Sequence, residues 1–276
     1  LDSGNDSYGI IACSEPPRDR RRPGLRAARA RPPPPPFPGM VRGGPRRRAA
    51  SKPPATSAVT QAAARKRSAT SKRRPPTYAK SSGTNGAIAI IAATDPSALT
   101  ELAHTHRDLA VLDVALKSSE LRSQCSDNVF YVAASEAMID DANRQWQQKM
   151  PGSSARAQAW HETFRKYAAG QLNSRFRKKF AQAMNDDAWA GWAAMKLLSD
   201  TIVRQPSITG HELINELQTN LAFDGQKGTD LSFRETGQLR QPLLLVADGK
   251  IVGEAPVRGV VNPSDLDSLG TQFCAK

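Results

Sequence analysis

The stretch GAIAIIAATDPSALTELA, residues 86–103, sets the fold class. Its residues 87–92 form an unbroken apolar run of strand length. A polar turn follows, and Pro96 stands at a helix's first position, where no N–H is needed. A strand thus leads directly into a helix that starts at the strand's carboxyl end. Two further apolar runs, LAVLDVAL (109–116) and NVFYVAA (128–134), come at intervals that leave room for a helix between them. Strands alternating with helix-length segments predict parallel β-α-β units and an α/β class.

The middle of the chain reads as helical. Trp160, Phe164 and Tyr167 fall on one face at i, i+4 and i+7, with Ser153 or Ser154 as the cap. Phe176, Phe180 and Met184 repeat that spacing. NDDAWAGWAAMKLLSDTIV (185–203) has the strongest helix pattern: Asn185 as cap, Asp186 and Asp187 at the positive end of the dipole, and a stripe of Trp189, Trp192, Met195 or Lys196, Leu198 and Ile202. A further helix is expected over 210–219, with Thr209 capping and Leu213, Ile214 and Leu217 inward. The last sixty residues turn to a β meander of 231–233, 241–247 and 250–257, with a strong hairpin signal at Asp248-Gly249.

The chain has 276 residues and a formal charge of +13. Residues 1–85 hold 19 of the 39 Lys and Arg, only four of the 26 Asp and Glu, and 14 of the 20 prolines. Residues 86–276 are slightly acidic and hold all four tryptophans. This cut separates an Arg/Pro-rich segment expected to be disordered, 1–85, from a globular part, 86–276. Three readings fit the basic segment. Arg46, Arg47, Arg48, Arg65 and Arg67 could neutralise phosphates of nucleic acid or an anionic surface; the segment could be a solvated tail; or it could be the frame-shifted translation of a GC-rich gene. No apolar run is long enough to span a bilayer, and no secretory signal is visible.

Catalytic and metal motifs are not built. His161-Glu162 and His211-Glu212 open like a zinc-protease helix, but Arg165 and Asn215 stand where the second histidine belongs. His104 and His106 point to different faces of a helix. Asp186-Asp187 is better explained by the helix dipole than as an acid/base pair. Three scattered cysteines, Cys13, Cys125 and Cys274, allow at most one pair.

The segment FDGQKGTDLSFRETGQLRQPLLLVADGKIV (223–252), with the helix 185–203 before it, resembles the late C-terminal element of type I periplasmic binding proteins. Within these it is most similar to the branched-chain amino-acid (Leu/Ile/Val) substrate-binding family of ABC transporters. QLNSRF (171–176), LSFRETGQLRQPLLL (231–245) and DLDSLG (265–270) resemble the subgroup associated with quinoprotein (PQQ-dependent) alcohol oxidation, and ELRSQCSDNVFYVAASEAMIDDA (120–142) resembles its N-lobe. The resemblance implies a partial binding-protein fold, too short for two complete lobes. It also implies a small-molecule solute, a membrane ABC permease as partner, a periplasmic location, no cofactor and no chemistry. The loop 93–97 is the one placed to meet a solute. There Thr94 and Ser97 can donate to an anionic group, against Asp95, which repels an anion, and Pro96, which lacks an N–H; helix capping is the competing role. Cys125 and Cys274 can pair if the chain is exported, and are otherwise free thiols. A nucleic-acid or anionic-surface binder using the basic arm is the alternative function.

Overall fold

The computed structural model describes residues 10–14 and 86–274. Strands β2 (Ala87–Ala92), β3 (Ala110–Asp113) and β4 (Val129–Tyr131) form a parallel sheet, with Ala92 opposite Asp113 and Asp113 opposite Tyr131. The crossovers are α1 (Pro96–Thr105) and α2 (Ser119–Ser123). Both strands after β2 are shorter than their apolar runs: the chain bends at Val114 after β3 and at Ala133 after β4, one residue beyond Val132 N, which still donates to Asp113 O at 2.9 Å. The outer edge of β2 pairs antiparallel with β1 (Ile10–Ser14), Ile10 opposite Ala92. Those residues fall within the segment expected to be disordered. A short apolar run at Ile10-Ile11 inside an otherwise polar stretch suits an edge strand. The Arg/Pro-rich residues 18–82 lie outside the described residues.

The sheet is buried on both faces. Val111, Val129 and Tyr131 pack with Leu99 and Ala103 of α1. Alternate residues, Ala89, Ile91, Leu112 and Phe130, join the main core with α5 (Asp186–Arg204) and α6 (Gly210–Thr219). That strand alternation is the period-two rule. Helix α1 starts as its sequence dictates: Asp95 caps it through Ala98 N at 3.0 Å, and Pro96 follows. Thr209 and Glu212 close a reciprocal capping box on α6.

After β4 the chain enters α3 (Glu136–Lys149), capped by Ser135. The helix expected over 153–167 does not form. Residues Arg156–Gln158 are instead β5, and tight turns follow to α4 (Ala169–Phe180). Tertiary partners replace the helical ladder there. Asp186 accepts from Ala159 N and Trp160 N at 3.1 and 2.7 Å, while the Asn173 amide donates to the carbonyls of Glu162 and Phe164 at 3.0 Å each. Trp160 and Phe164 are buried by this route, edge to face at 5.5 Å, but Tyr167 is half exposed at a positive φ of 51°. In α5 the buried stripe runs through Trp189, Ala193, Leu197, Leu198 and Thr201, and Met195 faces outward.

The expected meander splits between two sheets. Strands β6 (Ser232–Phe233) and β7 (Leu239–Arg240) pair with each other. The hairpin of β8 (Leu243–Ala247) and β9 (Lys250–Ala255) joins β5 in the order β5-β8-β9. The turn before β7 lies against β4: Tyr131 N donates to Gly237 O at 2.8 Å. Gly237 has a φ of +74°, and a Cβ there would sit 2.2 Å from Val129 O, so only glycine fits.

Candidate functional site

The carboxyl ends of β2, β3 and β4 and the loops leaving them form one edge, where open α/β sheets take ligands. At the end of β2 stands Thr94, 1% exposed, whose Oγ1 has no hydrogen-bond partner among the described residues. Leaving a buried hydroxyl unpaired costs about 1–3 kcal/mol. Ser97, two residues into the same turn, lies in the first turn of α1 and is exposed. The structure thus gives the two residues of the 93–97 loop different environments. At the α1 N-terminus Asp95 takes Ala98 N through its side chain and Leu99 N through its carbonyl, and Pro96 has no N–H to offer. An anion would meet the Asp95 carboxylate there.

Strand β3 ends in Asp113, fully buried, whose carboxylate accepts Ala115 N at 3.3 Å and Leu116 N at 3.2 Å. Burial pushes its pKa up to about 6, although these N–H groups and the Arg122 charge pull the other way. Arg122 on α2 is 1% exposed and acts as a clamp. Its guanidinium donates to Ser118 O at 2.7 Å and Leu116 O at 2.8 Å in the loop after β3, to Ala133 O at 3.0 Å in the loop after β4, and to Gln238 Oε1. Gln238 in turn donates to Tyr131 O and Ala133 O at 3.2 and 3.1 Å, and Gln241 to Val132 O at 2.9 Å. Burial lowers the Arg122 pKa to about 10 and raises that of Tyr131 to about 12. One side chain therefore sets the relative position of two of the three edge loops. Lys117, in the loop after β3, pairs with Asp187 of α5 at 3.3 Å.

Asp113, Arg122, Tyr131 and Gln238 were not singled out in the sequence. A single Asp inside LAVLDVAL was the available signal. The candidates that were singled out elsewhere do not assemble. His104 and His106 end α1, exposed and half-buried. His161 Nδ1 contacts Thr163 Oγ1 at 2.7 Å, and burial lowers its pKa. His211 is exposed on α6, where Glu212 belongs to the capping box. Asp186 holds the backbone before α4, so neither it nor Asp187 forms an acid/base pair. Among the described residues no three His, Cys, Asp or Glu side chains gather as a metal site, and no helix is long and apolar enough to cross a membrane. The arginines at 46–48, 65 and 67 lie outside the described residues, as does Cys13's side chain. Cys125, after α2, is joined to Cys274 by a disulfide with Cα atoms 5.7 Å apart.

The chain matches no family model and no curated protein. Solved structures similar to part of it include the following three. A branched-chain amino acid ABC transporter periplasmic ligand-binding protein from Burkholderia xenovorans LB400 is 13% identical, with a TM-score of 0.32 over 66% of this chain and 46% of its own. An ABC-type branched-chain amino acid transporter protein from Rhodopseudomonas palustris CGA009 is 14% identical, with a TM-score of 0.35 over 66% and 51%. A leucine-binding protein from Thermotoga maritima MSB8 is 14% identical, with a TM-score of 0.28 over 58% and 47%. The chain spans about half the length of each. Its structural neighbours are thus periplasmic ligand-binding proteins of branched-chain amino acid ABC transporters, matched over part of the chain.

Proposed function

We propose that the chain is a solute-binding component of an ABC importer, which holds a small polar solute at the carboxyl edge of β2, β3 and β4 and makes or breaks no bond. The observation that carries this reading is the unpaired, buried hydroxyl of Thr94 at that edge. A solute's polar atom would restore the missing hydrogen bond. Because Thr94 is shielded, the 93–97 loop must move to admit it, so binding and loop closure are one equilibrium.

The site's charges favour a solute that brings a donor. Asp95 lies beside Thr94, and its carboxylate caps α1 through Ala98 N, which puts a negative charge at that helix end, so an ammonium or hydroxyl suits the edge better than a lone carboxylate. The Cys125–Cys274 disulfide suits an oxidising compartment such as the periplasm, where a membrane permease would be the partner. A thermal-shift series with leucine, isoleucine, valine, other free amino acids and short polyols tests the reading. At least one should raise the melting temperature in a concentration-dependent way. A flat response to all of them at millimolar concentration would remove the proposal.

A further inference from the structure

Strand β9 is the outer strand of the β5-β8-β9 sheet, and among the described residues nothing pairs with its far edge. Along it runs an open groove of about 630 Å³. Its walls stand on opposite faces of the sheet. Gly253 lies against Trp146 of α3, so close that a Cβ would come within 2.6 Å of the indole, and the next residue, Glu254, points the other way to Lys166 Nζ at 2.6 Å. Successive strand residues alternate faces, so α3 forms one wall and the turn 163–166 the other. At the end of α3, Lys149 Nζ donates to Arg258 O at 2.9 Å and fixes the groove's far end.

The rim is cationic. Lys149, Arg165, Lys166 and Arg258 line it against one carboxylate, Glu254, which Lys166 already neutralises. Among the described residues Arg165 and Arg258 have no acidic partner. Elsewhere the segment 86–276 is slightly acidic, so this concentration runs against the charge of its surroundings.

We propose that the β9 groove binds an extended acidic peptide segment, which adds to the sheet as a further strand while its carboxylates meet Arg165 and Arg258. Strand addition supplies the main-chain hydrogen bonds and the two walls supply side-chain selectivity. The six residues of β9 offer about 20 Å of edge. Charge also argues against two other occupants. The chain's own residues 1–85 are strongly basic, and a second copy would bring a second cationic rim against the first.

The test is fluorescence polarisation of the full chain with a labelled octapeptide of alternating Glu and Val. Binding should weaken at least tenfold in the Arg165→Glu/Arg258→Glu variant, whose substitutions are exposed and spare the core. It should weaken at least as much when alternate peptide nitrogens are methylated, and when Lys replaces Glu. Peptide binding should also shift the emission of the four tryptophans, an effect lost when Trp146 is replaced by Phe. Equal affinity for the methylated peptide, or no effect of the charge reversal, would place binding on the basic N-terminal segment and overturn the proposal. So would sedimentation showing a dimer of the chain that the double substitution dissociates, since a second copy would then hold the edge.

Discussion

The guanidinium of Arg122 lies 4.4 Å from the centre of the Tyr131 ring, with its N–H groups turned outward to the carbonyls of Leu116, Ser118 and Ala133. A planar cation can stack on a ring and fork to several acceptors at once, which an ammonium cannot. Arg122→Lys should therefore destabilise the fold by about 3 kcal/mol, since several buried carbonyls lose their donor. Urea unfolding measures the loss. Hydrogen exchange should show faster opening of 114–118 and 132–135 before the rest of the sheet.

Asp113 provides a pH signature. Its pKa of about 6 in the fold exceeds the ordinary 3.8, so the folded chain holds this proton more tightly than the unfolded chain. The stabilisation is complete below pH 4 and is lost as pH rises through 6, by about 3 kcal/mol in all. Asp113→Asn cannot lose a proton. Stability of the variant relative to the unsubstituted chain should therefore rise between pH 4 and pH 7, as followed by urea titration at each pH.

Lys227 shows the opposite sign. Its side chain is buried over Trp189, with Nζ 4.1 Å from the ring centre and bonded to Ala159 O and Gln241 Oε1 at 2.7 Å and Pro242 O at 3.0 Å. Burial lowers its pKa to about 7. The folded chain sheds this proton more readily than the unfolded chain, so stability gains as pH rises from 7 towards 10.5. Lys227→Met should cost about 3 kcal/mol near neutrality by leaving those oxygens unpaired. The deficit should widen by pH 9.

The disulfide closes a sequence separation of 149 residues and ties the C-terminal tail to the loop after α2. Loop-closure entropy for so long a span is about 4–5 kcal/mol, so Cys274→Ser should lower the melting temperature by several degrees. Alkylation of the denatured, unreduced chain should leave Cys125 and Cys274 unlabelled by mass spectrometry.

What could be read in the sequence was local. The β2 to α1 passage needs only an apolar run, Asp95 as cap and Pro96, and α6 needs only Thr209, Glu212 and a 3.6 period. The failures are tertiary. Trp160, Phe164 and Tyr167 have helical spacing, yet Asp186 and Asn173 satisfy that backbone from elsewhere in the chain, so aromatic burial required no helix. The meander carried correct turn signals, but which sheet each strand would join depended on partners far away. At the candidate edge, a threonine just after a strand marks Thr94 as a candidate donor, which its variants test. Nothing local marks Arg122, because a buried arginine is recognised only by the carbonyls that converge on it.

The most direct measurement is isothermal titration calorimetry of the unsubstituted chain, Thr94→Ser and Thr94→Val with whichever of the amino acids or polyols first raises the melting temperature. Serine keeps the hydroxyl and valine keeps only the shape. Binding retained in Thr94→Ser and weakened at least tenfold in Thr94→Val, with both variants as stable as the parent, is the expected result. Equal affinity across all three would show that the carboxyl edge of the parallel sheet is not where a solute is held.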